Sequence, residues 1–461
     1  MKSSKLITLN IFALTMLITG AIDSIRNLPV TALFGSHLIF FFIFAAVLFL
    51  LPIGLISAWL SSSEVTDGVY GWIKAAFGPK LGFLAIWLQW INTMIWYPTI
   101  LSFIAGLIAY TISPALAQNP YYLVTTILCI YWAMTLLNLK GLHVSANFAS
   151  IATVIGMIIP MALLMGLGLL WVMTGHAVQI AFHLTSLIPS VHQSQNWVSL
   201  TAIMASFVGM ELATVYVKRI ANPQRIFPKA LLLSIGIILV TMILGSLSIA
   251  MILPEKNIHL VDGVMQVLSY FFATYHLSGF VPILALMILI GSLGGMINWM
   301  ISPARGLLLA AQDHFLPKTM QRENKHGAPH VILMTQAVLV SIVCLIFLLM
   351  PTINSSYWLL TDLSTNLYML MYVLTFITAI VLAGGKKIKH AHFKIFGGTM
   401  GVLITSFIGL SGCLLTFAIG FIPPLTIIVG SIWPYESILV IGIIITIFPV
   451  LIFYRIRDSH L

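Results

Sequence analysis

The chain has 461 residues, of which 60% are apolar and only 7% are charged, and its mean hydropathy is +1.08. A soluble domain of this length needs far more charge on its surface, so the composition excludes a soluble globular protein. Backbone polar groups in lipid must be bonded within the chain, which leaves membrane helices or a closed β-barrel. Apolar runs such as 38–60, 148–171 and 331–350 approach the about 20 residues of a spanning helix and lack the alternation of barrel strands. The sequence therefore predicts an all-α membrane protein.

Twelve spanning helices are predicted from these runs. In chain order they cover 6–34, 38–60, 83–110, 121–139, 148–173, 197–219, 229–253, 279–303, 330–350, 357–383, 395–420 and 437–454. With the N-terminus inside, only Lys256 of the 21 Lys and Arg residues falls outside, and Arg26 lies within the first span. This asymmetry predicts a multi-pass protein of a bacterial inner membrane with both termini in the cytoplasm. The net charge of +10 thus indicates orientation and leaves no soluble basic face for nucleic acid.

No connection between the spans is long enough to fold alone, so 1–461 is predicted to form a single domain in the lipid bilayer. Cys129, Cys344 and Cys413 fall inside apolar runs, and their spacing gives no disulfide or metal-ligand pattern. The chain also lacks a phosphate-binding loop and a nucleophile motif. These absences argue against an ATP-driven pump and against a membrane enzyme, and no cofactor or metal is predicted. The oligomeric state stays open.

The first span is interrupted by polar residues. Asp23, Arg26 and Pro29 lie between two apolar halves, a pattern typical of a discontinuous helix. An unwound centre exposes free backbone N–H groups, and the N-terminus of a half-helix attracts a carboxylate. Thr19, Asp23 and Arg26 are therefore candidate substrate-binding residues. The alternative is that Asp23 and Arg26 only form an ion pair near the outer interface.

The sixth span contains a second interruption. Gly209 offers a flexible point, and Glu211 is an acid at membrane depth that either contacts substrate or is a structural carboxylate. The two interruptions lie about 187 residues apart, from 22 to 209 (209 − 22), and each opens a group of five spans. Because five is odd, the second group is inverted relative to the first, as in carriers with inverted repeats.

The third span contributes aromatic and amide side chains, which suit a pocket for a small zwitterion or a cationic amine. They are Gln89, Trp90, Asn92, Trp96 and Tyr97. Trp90 should lie too deep to belong to an interfacial aromatic belt. On the tenth span, Tyr368 and Tyr372 share one helix face, and packing is the expected role of both.

The order of short motifs along nearly the whole chain resembles the amino acid–polyamine–organocation (APC) superfamily. The closest similarity is to the branch of bacterial glutamate/GABA antiporters. The motifs are Ser24-Ile-Arg-Asn-Leu-Pro29, Gly82-Phe-Leu-Ala-Ile-Trp-Leu-Gln-Trp90, Trp96-Tyr-Pro-Thr99, Val208-Gly-Met-Glu211, Asn222-Pro223, Gly291-Ser-Leu-Gly-Gly295 and Pro303-Ala-Arg-Gly306. This resemblance implies a LeuT-type five-plus-five inverted repeat (6–173 and 197–383), two additional spans (395–454), and alternating access.

The resemblance also implies roles for individual residues. One set matches the unwound stretch of the first span that binds the backbone groups of the substrate: Thr19, Ile22, Asp23 and Ser24. A second set matches the partner stretch of the sixth span and its following acid: Phe207, Val208, Gly209 and Glu211. Met296 falls where an arginine-exchanging relative has a gating Trp, and Trp299 falls where the glutamate/GABA antiporters have Trp.

Several positions depart from the family pattern. Gly295 and Trp59 stand where relatives have Glu, and the fifth span lacks the Lys that some proton-coupled relatives use. The glycine-rich signature of many members is replaced by Ile22-Asp23-Ser24. Neither glutamate nor proton coupling is therefore carried over. The predicted function is a secondary active transporter, antiporter or proton-coupled, of amino acids or related amines. The alternative is a sensor or receptor that kept the carrier fold without transport; a channel is a weaker third option.

Overall fold

The computed structural model describes residues 11–65, 68–140, 154–183, 187–189, 197–214, 222–385, 388, 391–424 and 432–458. All regular structure within these ranges is helical, without a β-strand. The helices of the first half are α1 (Ile11–Ile22), α2 (Leu28–Ala32), α3 (Leu38–Ala45), α4 (Leu51–Ser61), α5 (Gly68–Phe77), α6 (Pro79–Ile112), α7 (Pro120–Leu139), α8 (Ile159–Met173), α9 (Ser199–Ser206) and α10 (Met210–Thr214). Those of the second half are α11 (Pro223–Ile252), α12 (Gly263–Thr274), α13 (Val281–Gln312), α14 (His330–Val343), α15 (Ile346–Leu349), α16 (Ile353–Gly384), α17 (Gly398–Ile419) and α18 (Ile432–Asp458).

Nine helical segments of the described chain are long and apolar enough to cross a membrane. Two of them contain a π-helical turn, Ala46–Leu50 between α3 and α4 and Val154–Ile158 before α8. The chain is accordingly a multi-pass membrane protein. Residues 6–10, 148–153 and 215–219 of the predicted spans lie outside the described residues.

Proline sets the start of two spans earlier than the apolar pattern predicted. The predicted third span began at 83 and the seventh at 229, whereas α6 begins at Pro79 and α11 at Pro223. Proline is favoured in the first turn of a helix because its missing N–H would have no partner there. The polar residues that follow each proline therefore belong to the helix, although the apolar pattern placed them before it.

The first span is discontinuous at Asp23 and Ser24, where the sequence predicted a break. The N–H of Asp23 still donates to the Thr19 carbonyl at 2.8 Å, but Ser24 is extended, with φ −152° and ψ 121°. A 3-10 turn over Ile25–Asn27 and the short α2 then continue the span.

The sixth span is discontinuous at residues 207–209, between α9 and α10. Gly209 has φ +105°, a region that side chains with a Cβ rarely adopt. A Cβ at Gly209 would also lie 3.0 Å from Cη2 of Trp299 and 3.4 Å from the Ala21 carbonyl oxygen. The two breaks are therefore adjacent in space, and glycine is what permits this approach.

The broken spans are surrounded by long helices at the centre of the bundle. In its most apolar window α6 is 67% buried and α16 is 61% buried, whereas the corresponding window of α18 is only 11% buried. The central helices thus pack against protein, and α18 presents its apolar surface to lipid. The π-helical turn at Gly156 packs closely against α13, because a Cβ at Gly156 would lie 2.4 Å from Cα of Gly291.

Candidate functional site

A cavity of about 140 Å³ lies between the two breaks. Its walls are formed by the break of the first span and by residues of α6, α9, α13 and α16. Pockets for drug-sized ligands have volumes of about 300–1,000 Å³, so this cavity suits a smaller solute. Eight of the fourteen predicted site residues line it: Ile22, Asp23, Ser24, Arg26, Trp96, Val208, Met296 and Trp299.

Arg26 forms one charged wall of the cavity and is only 7% exposed. Its Nη1 donates to the hydroxyl of Thr99 at 2.9 Å and to that of Tyr357 at 3.3 Å, and the guanidinium lies 5.1 Å from the Trp96 ring centroid. Its buried Nε has no hydrogen-bond partner among the described residues. Arg26 therefore keeps a donor available for an anionic group in the cavity.

Asp23 forms the second charged wall and is 5% exposed. Its Oδ2 accepts a hydrogen bond from Thr241 at 2.7 Å, while Oδ1 has no partner within the described ranges. No ion pair joins Asp23 to Arg26 in the part of the chain that the structure describes, so the alternative of a simple pair is not observed. These two are the only charged side chains among the described lining residues.

Aromatic rings form the wall next to Arg26. Trp96 and Trp299 have ring centroids 5.3 Å apart at 40°, and Tyr97 fixes Trp299 by donating to its carbonyl oxygen at 2.9 Å. Met296 completes this wall and is fully buried. The wall can cover the apolar part of a solute or the face of a cationic group.

Glu211 does not line the cavity but is held behind it by three side chains. One carboxylate oxygen accepts from Gln89 at 3.1 Å and from Tyr368 at 2.6 Å, and the other accepts from Tyr372 at 2.6 Å. The Tyr372 hydroxyl also accepts the N–H of Gly209 at 2.9 Å, one of the backbone donors freed by the break. Glu211 thus links α6, the break of the sixth span and α16.

This network gives a prediction for Tyr372→Phe. The substitution removes the hydroxyl that accepts from the N–H of Gly209 and donates to Glu211, so we expect a stability loss of about 1–3 kcal/mol. Thermal unfolding in detergent measures the loss. The matched control is Tyr270→Phe, because the Tyr270 side chain is 49% exposed. Equal melting temperatures for the two variants would contradict the role of the network.

The remaining predicted site residues lie outside the cavity wall. They are Thr19, Gln89, Trp90, Phe207, Gly209 and Glu211. Gln89 follows the same helix stripe as Asn92 and Trp96 but lies one turn deeper, at Glu211. Trp90 faces α14 instead, where its Nε1 donates to Gln336 at 2.8 Å.

A polar stripe on α16 was missed as a group by sequence reasoning. It consists of Tyr357, Thr361, Ser364, Thr365 and Tyr368, all of which line the cavity. The Ser364 hydroxyl donates to Oδ1 of Asn92 on the opposite wall at 2.6 Å. Spacings of three and four residues place these side chains on one helix face, and this periodicity in an apolar span was the available signal.

Fold and cavity together define a multi-pass membrane protein with a solute-sized site between two broken helices, the architecture of a solute transporter. The sequence model of the amino acid permease family matches residues 9–445. The chain therefore belongs to the amino acid permease family of the APC superfamily, and it is a transporter of amino acids or amines rather than an enzyme.

Individual relatives are similar over most of their length. An uncharacterized transporter of Legionella pneumophila is 36% identical over 98% of both chains. A glutamate/gamma-aminobutyrate antiporter of Lactococcus lactis is 27% identical over 100% of this chain and 92% of its own. A probable agmatine/putrescine antiporter of the same species is 23% identical over 76% of this chain and 73% of its own.

Proposed function

We propose that the protein is a secondary active transporter of zwitterionic amino acids or closely related amino carboxylates. The observation that carries this proposal is that two buried side chains of opposite charge, Asp23 and Arg26, line one small cavity without forming an ion pair with each other. A free oxygen of Asp23 suits an ammonium group, and the free Nε of Arg26 suits a carboxylate. Because the charges of the described wall sum to zero, a solute without net charge fits better than a polyamine dication.

The relatives support this class of substrate. Of the two relatives whose names give a substrate, the one more similar to this chain is a glutamate/gamma-aminobutyrate antiporter, and γ-aminobutyrate carries one ammonium and one carboxylate. The probable agmatine/putrescine antiporter is less similar and is matched over a smaller share of the chain. The antiporter relative favours exchange of one amino carboxylate for another, a mode that is compatible with coupled movement of a proton.

We further propose twelve spans in two inverted repeats, with alternating access between them. The nine long helical segments support this count when the two broken spans and α13 are added (9 + 3). Both broken spans open a group of five, and their breaks meet at Gly209 and Ala21. Inversion follows from the odd number of spans in each group. The inner membrane and cytoplasmic termini follow from the distribution of Lys and Arg.

In this orientation the cytoplasmic end is closed by polar contacts between α5 and the end of α13. Both Tyr70 and Lys74 donate to the Asp313 carboxylate. Partial burial raises the pKa of Asp313, but the hydrogen bonds from Lys74 and Tyr70 and the charges of Lys74 and Arg457 outweigh burial and hold that pKa below its usual value. The contact is therefore present at neutral pH and is lost only as the pH falls through this lowered pKa.

Asp313→Asn is expected to favour the conformation that is open to the cytoplasm. Because the contact is partly exposed, we expect a modest shift of about two- to fivefold. The shift is measured in a background in which Cys129, Cys344 and Cys413 are replaced by serine, with Thr93→Cys as the only cysteine. Thr93 lines the cavity, so the ratio of its labelling by an impermeant thiol reagent from the two sides of the membrane reports which side is open. Glu323→Gln, which neutralises an exposed carboxylate in the same connection, is the control. An unchanged ratio in Asp313→Asn would contradict the closing role.

Transport itself is tested with purified protein in liposomes. Labelled amino acids and amines are screened for uptake with and without internal substrate, and we expect uptake of an amino carboxylate that internal substrate stimulates. Failure of every amino acid and amine to move would refute the proposal. Binding without flux would instead support the sensor alternative, and single-channel currents would support a channel.

A further inference from the structure

A second polar cluster lies on the face of α16 that turns away from the cavity. Asp362 is fully buried, and its Oδ2 accepts a hydrogen bond from Tyr435 of α18. Oδ1 of Asp362 has no hydrogen-bond partner in the described chain. One turn further along α16, Asn366 is also fully buried, and neither its Oδ1 nor its Nδ2 is bonded to any described residue.

The position of Asn366 leaves no room for a larger neighbour. A Cβ at Gly420, just after the end of α17, would lie 2.5 Å from Oδ1 of Asn366. The amide is thus enclosed between α16 and the end of α17, while Asp362 faces α18. Neither Asp362 nor Asn366 lines the substrate cavity, whose α16 wall carries Thr361 and Thr365 instead.

Among the residues that the structure describes, no basic side chain forms an ion pair with Asp362. Its neighbours are neutral donors, the Tyr435 hydroxyl and the indole N–H of Trp358 on α16, and the adjacent Glu436 of α18 is also an acid. The only titratable side chain of α17 is Cys413, and α9 and α15 contain no acidic or basic residue. Basic residues of the neighbouring helices stand near their ends: Lys74 on α5, Lys80 on α6, and Arg455 and Arg457 on α18. Arg26 of the first span contacts α16 at Tyr357, on the cavity side, and forms no ion pair with Asp362. Arg455 lies about 30 Å along α18 from Tyr435, so it cannot serve as a counter-ion.

Both oxygens of the buried Glu211 carboxylate accept hydrogen bonds, whereas one oxygen of Asp362 does not. A buried carboxylate with neither a counter-ion nor a donor for each oxygen favours uptake of a proton or a cation, because its desolvation is costly. Hard metal cations prefer six or more oxygen ligands. Asp362, Asn366 and Tyr435 offer fewer, the Tyr435 hydroxyl turns its hydrogen toward the carboxylate, and Asn366 adds an amide donor that repels a cation. The geometry therefore favours a proton over a metal ion.

We infer that Asp362 is a proton-binding site, separate from the substrate cavity, through which the transporter couples substrate movement to the proton gradient. Asp362 takes a proton from one side of the membrane and becomes neutral, and it returns the proton on the other side when the carboxylate forms again. The link to substrate is α16 itself, which carries the cavity wall on one face and Asp362 on the other. This inference rests on the proposed transport function.

The test compares two assays of the same protein in liposomes. Counterflow measures exchange of labelled substrate without a pH gradient, and gradient-driven uptake measures accumulation under an imposed inward proton gradient. In the wild type we expect the gradient to increase uptake. In Asp362→Asn, whose side chain cannot bind the proton, we expect counterflow within about threefold of wild type and at least a tenfold loss of the gradient-driven component.

Two further variants sharpen the test. Glu64→Gln neutralises an exposed carboxylate and should leave both assays unchanged. Tyr435→Phe removes the donor that stabilises the charged carboxylate, so the midpoint of the pH profile of uptake should move toward alkaline pH. The pH profile of Tyr435→Phe still tests proton binding at Asp362 if the Asp362→Asn variant does not fold.

The inference would be overturned by gradient-driven uptake that survives in Asp362→Asn, or by wild-type uptake that ignores the pH gradient. Uptake driven by a sodium gradient and lost in Asp362→Asn would also overturn it in favour of a metal cation. In each of these cases the proposed transport function stands. Only the absence of counterflow in the wild type would remove that function as well.

Discussion

Gly209→Leu is expected to reduce transport by about 10- to 100-fold while the protein still folds. Leucine at φ +105° is strained, and its Cβ would approach Trp299 and the Ala21 carbonyl oxygen. The break of the sixth span must therefore separate from that of the first span. Counterflow in liposomes measures the loss, and size-exclusion elution and thermal unfolding report on folding.

The matched control is Gly236→Leu. Gly236 is an exposed residue of α11, and a Cβ there would meet nothing within 4 Å. This variant should transport at the wild-type rate, so any loss in Gly209→Leu reflects the break rather than the added side chain. Normal transport by Gly209→Leu would show that the contact between the two breaks is not required.

Arg26→Gln is expected to raise the KM for the transported amino carboxylate by about 10- to 100-fold. The substitution removes the only positive charge of the described cavity wall, and a hydrogen bond to a charged group contributes about 1.5–3 kcal/mol. Arg26→Lys should recover part of the affinity, because an ammonium keeps the charge without the planar fork of donors. Initial rates of uptake against substrate concentration measure both variants.

Removal of an exposed positive charge provides the control for Arg26. Lys256→Gln lies in the exposed turn Glu255–Asn257, away from the cavity, and should leave KM unchanged. A similar KM in Arg26→Gln and Lys256→Gln would remove Arg26 from the substrate site. A fall in the maximal rate alone, with KM unchanged, would assign Arg26 to conformational change instead of binding.

The membrane class of the fold could be predicted because it depends only on the length of apolar runs. The π-helical turns and the exact starts of the helices could not be predicted. The π-helical turns at Ala46–Leu50 and Val154–Ile158 lie in segments that are apolar on every side, where periodicity carries no signal. The early starts at Pro79 and Pro223 depend on the missing N–H of proline, which a hydropathy pattern does not register.

The breaks could be located from single residues, because Asp23 and Gly209 are costly or flexible in an otherwise apolar span. The hydrogen-bond partners of the charged residues could not be predicted from the sequence. Whether Arg26 turns to Asp23 or to Thr99 and Tyr357 depends on how helices distant in sequence pack. For the same reason, Glu211 reads as a candidate ligand in the sequence but is occupied by Gln89 and two tyrosines in the structure.

The central claim is that substrate binds in the cavity between the two broken spans, between Asp23 and Arg26. An experimental structure of the protein with a transported amino carboxylate tests it most directly. We predict substrate density in the cavity, with its carboxylate within hydrogen-bond distance of Arg26 and its ammonium within that distance of Asp23. Density at another place in the bundle, with this cavity empty under conditions of transport, would contradict the claim.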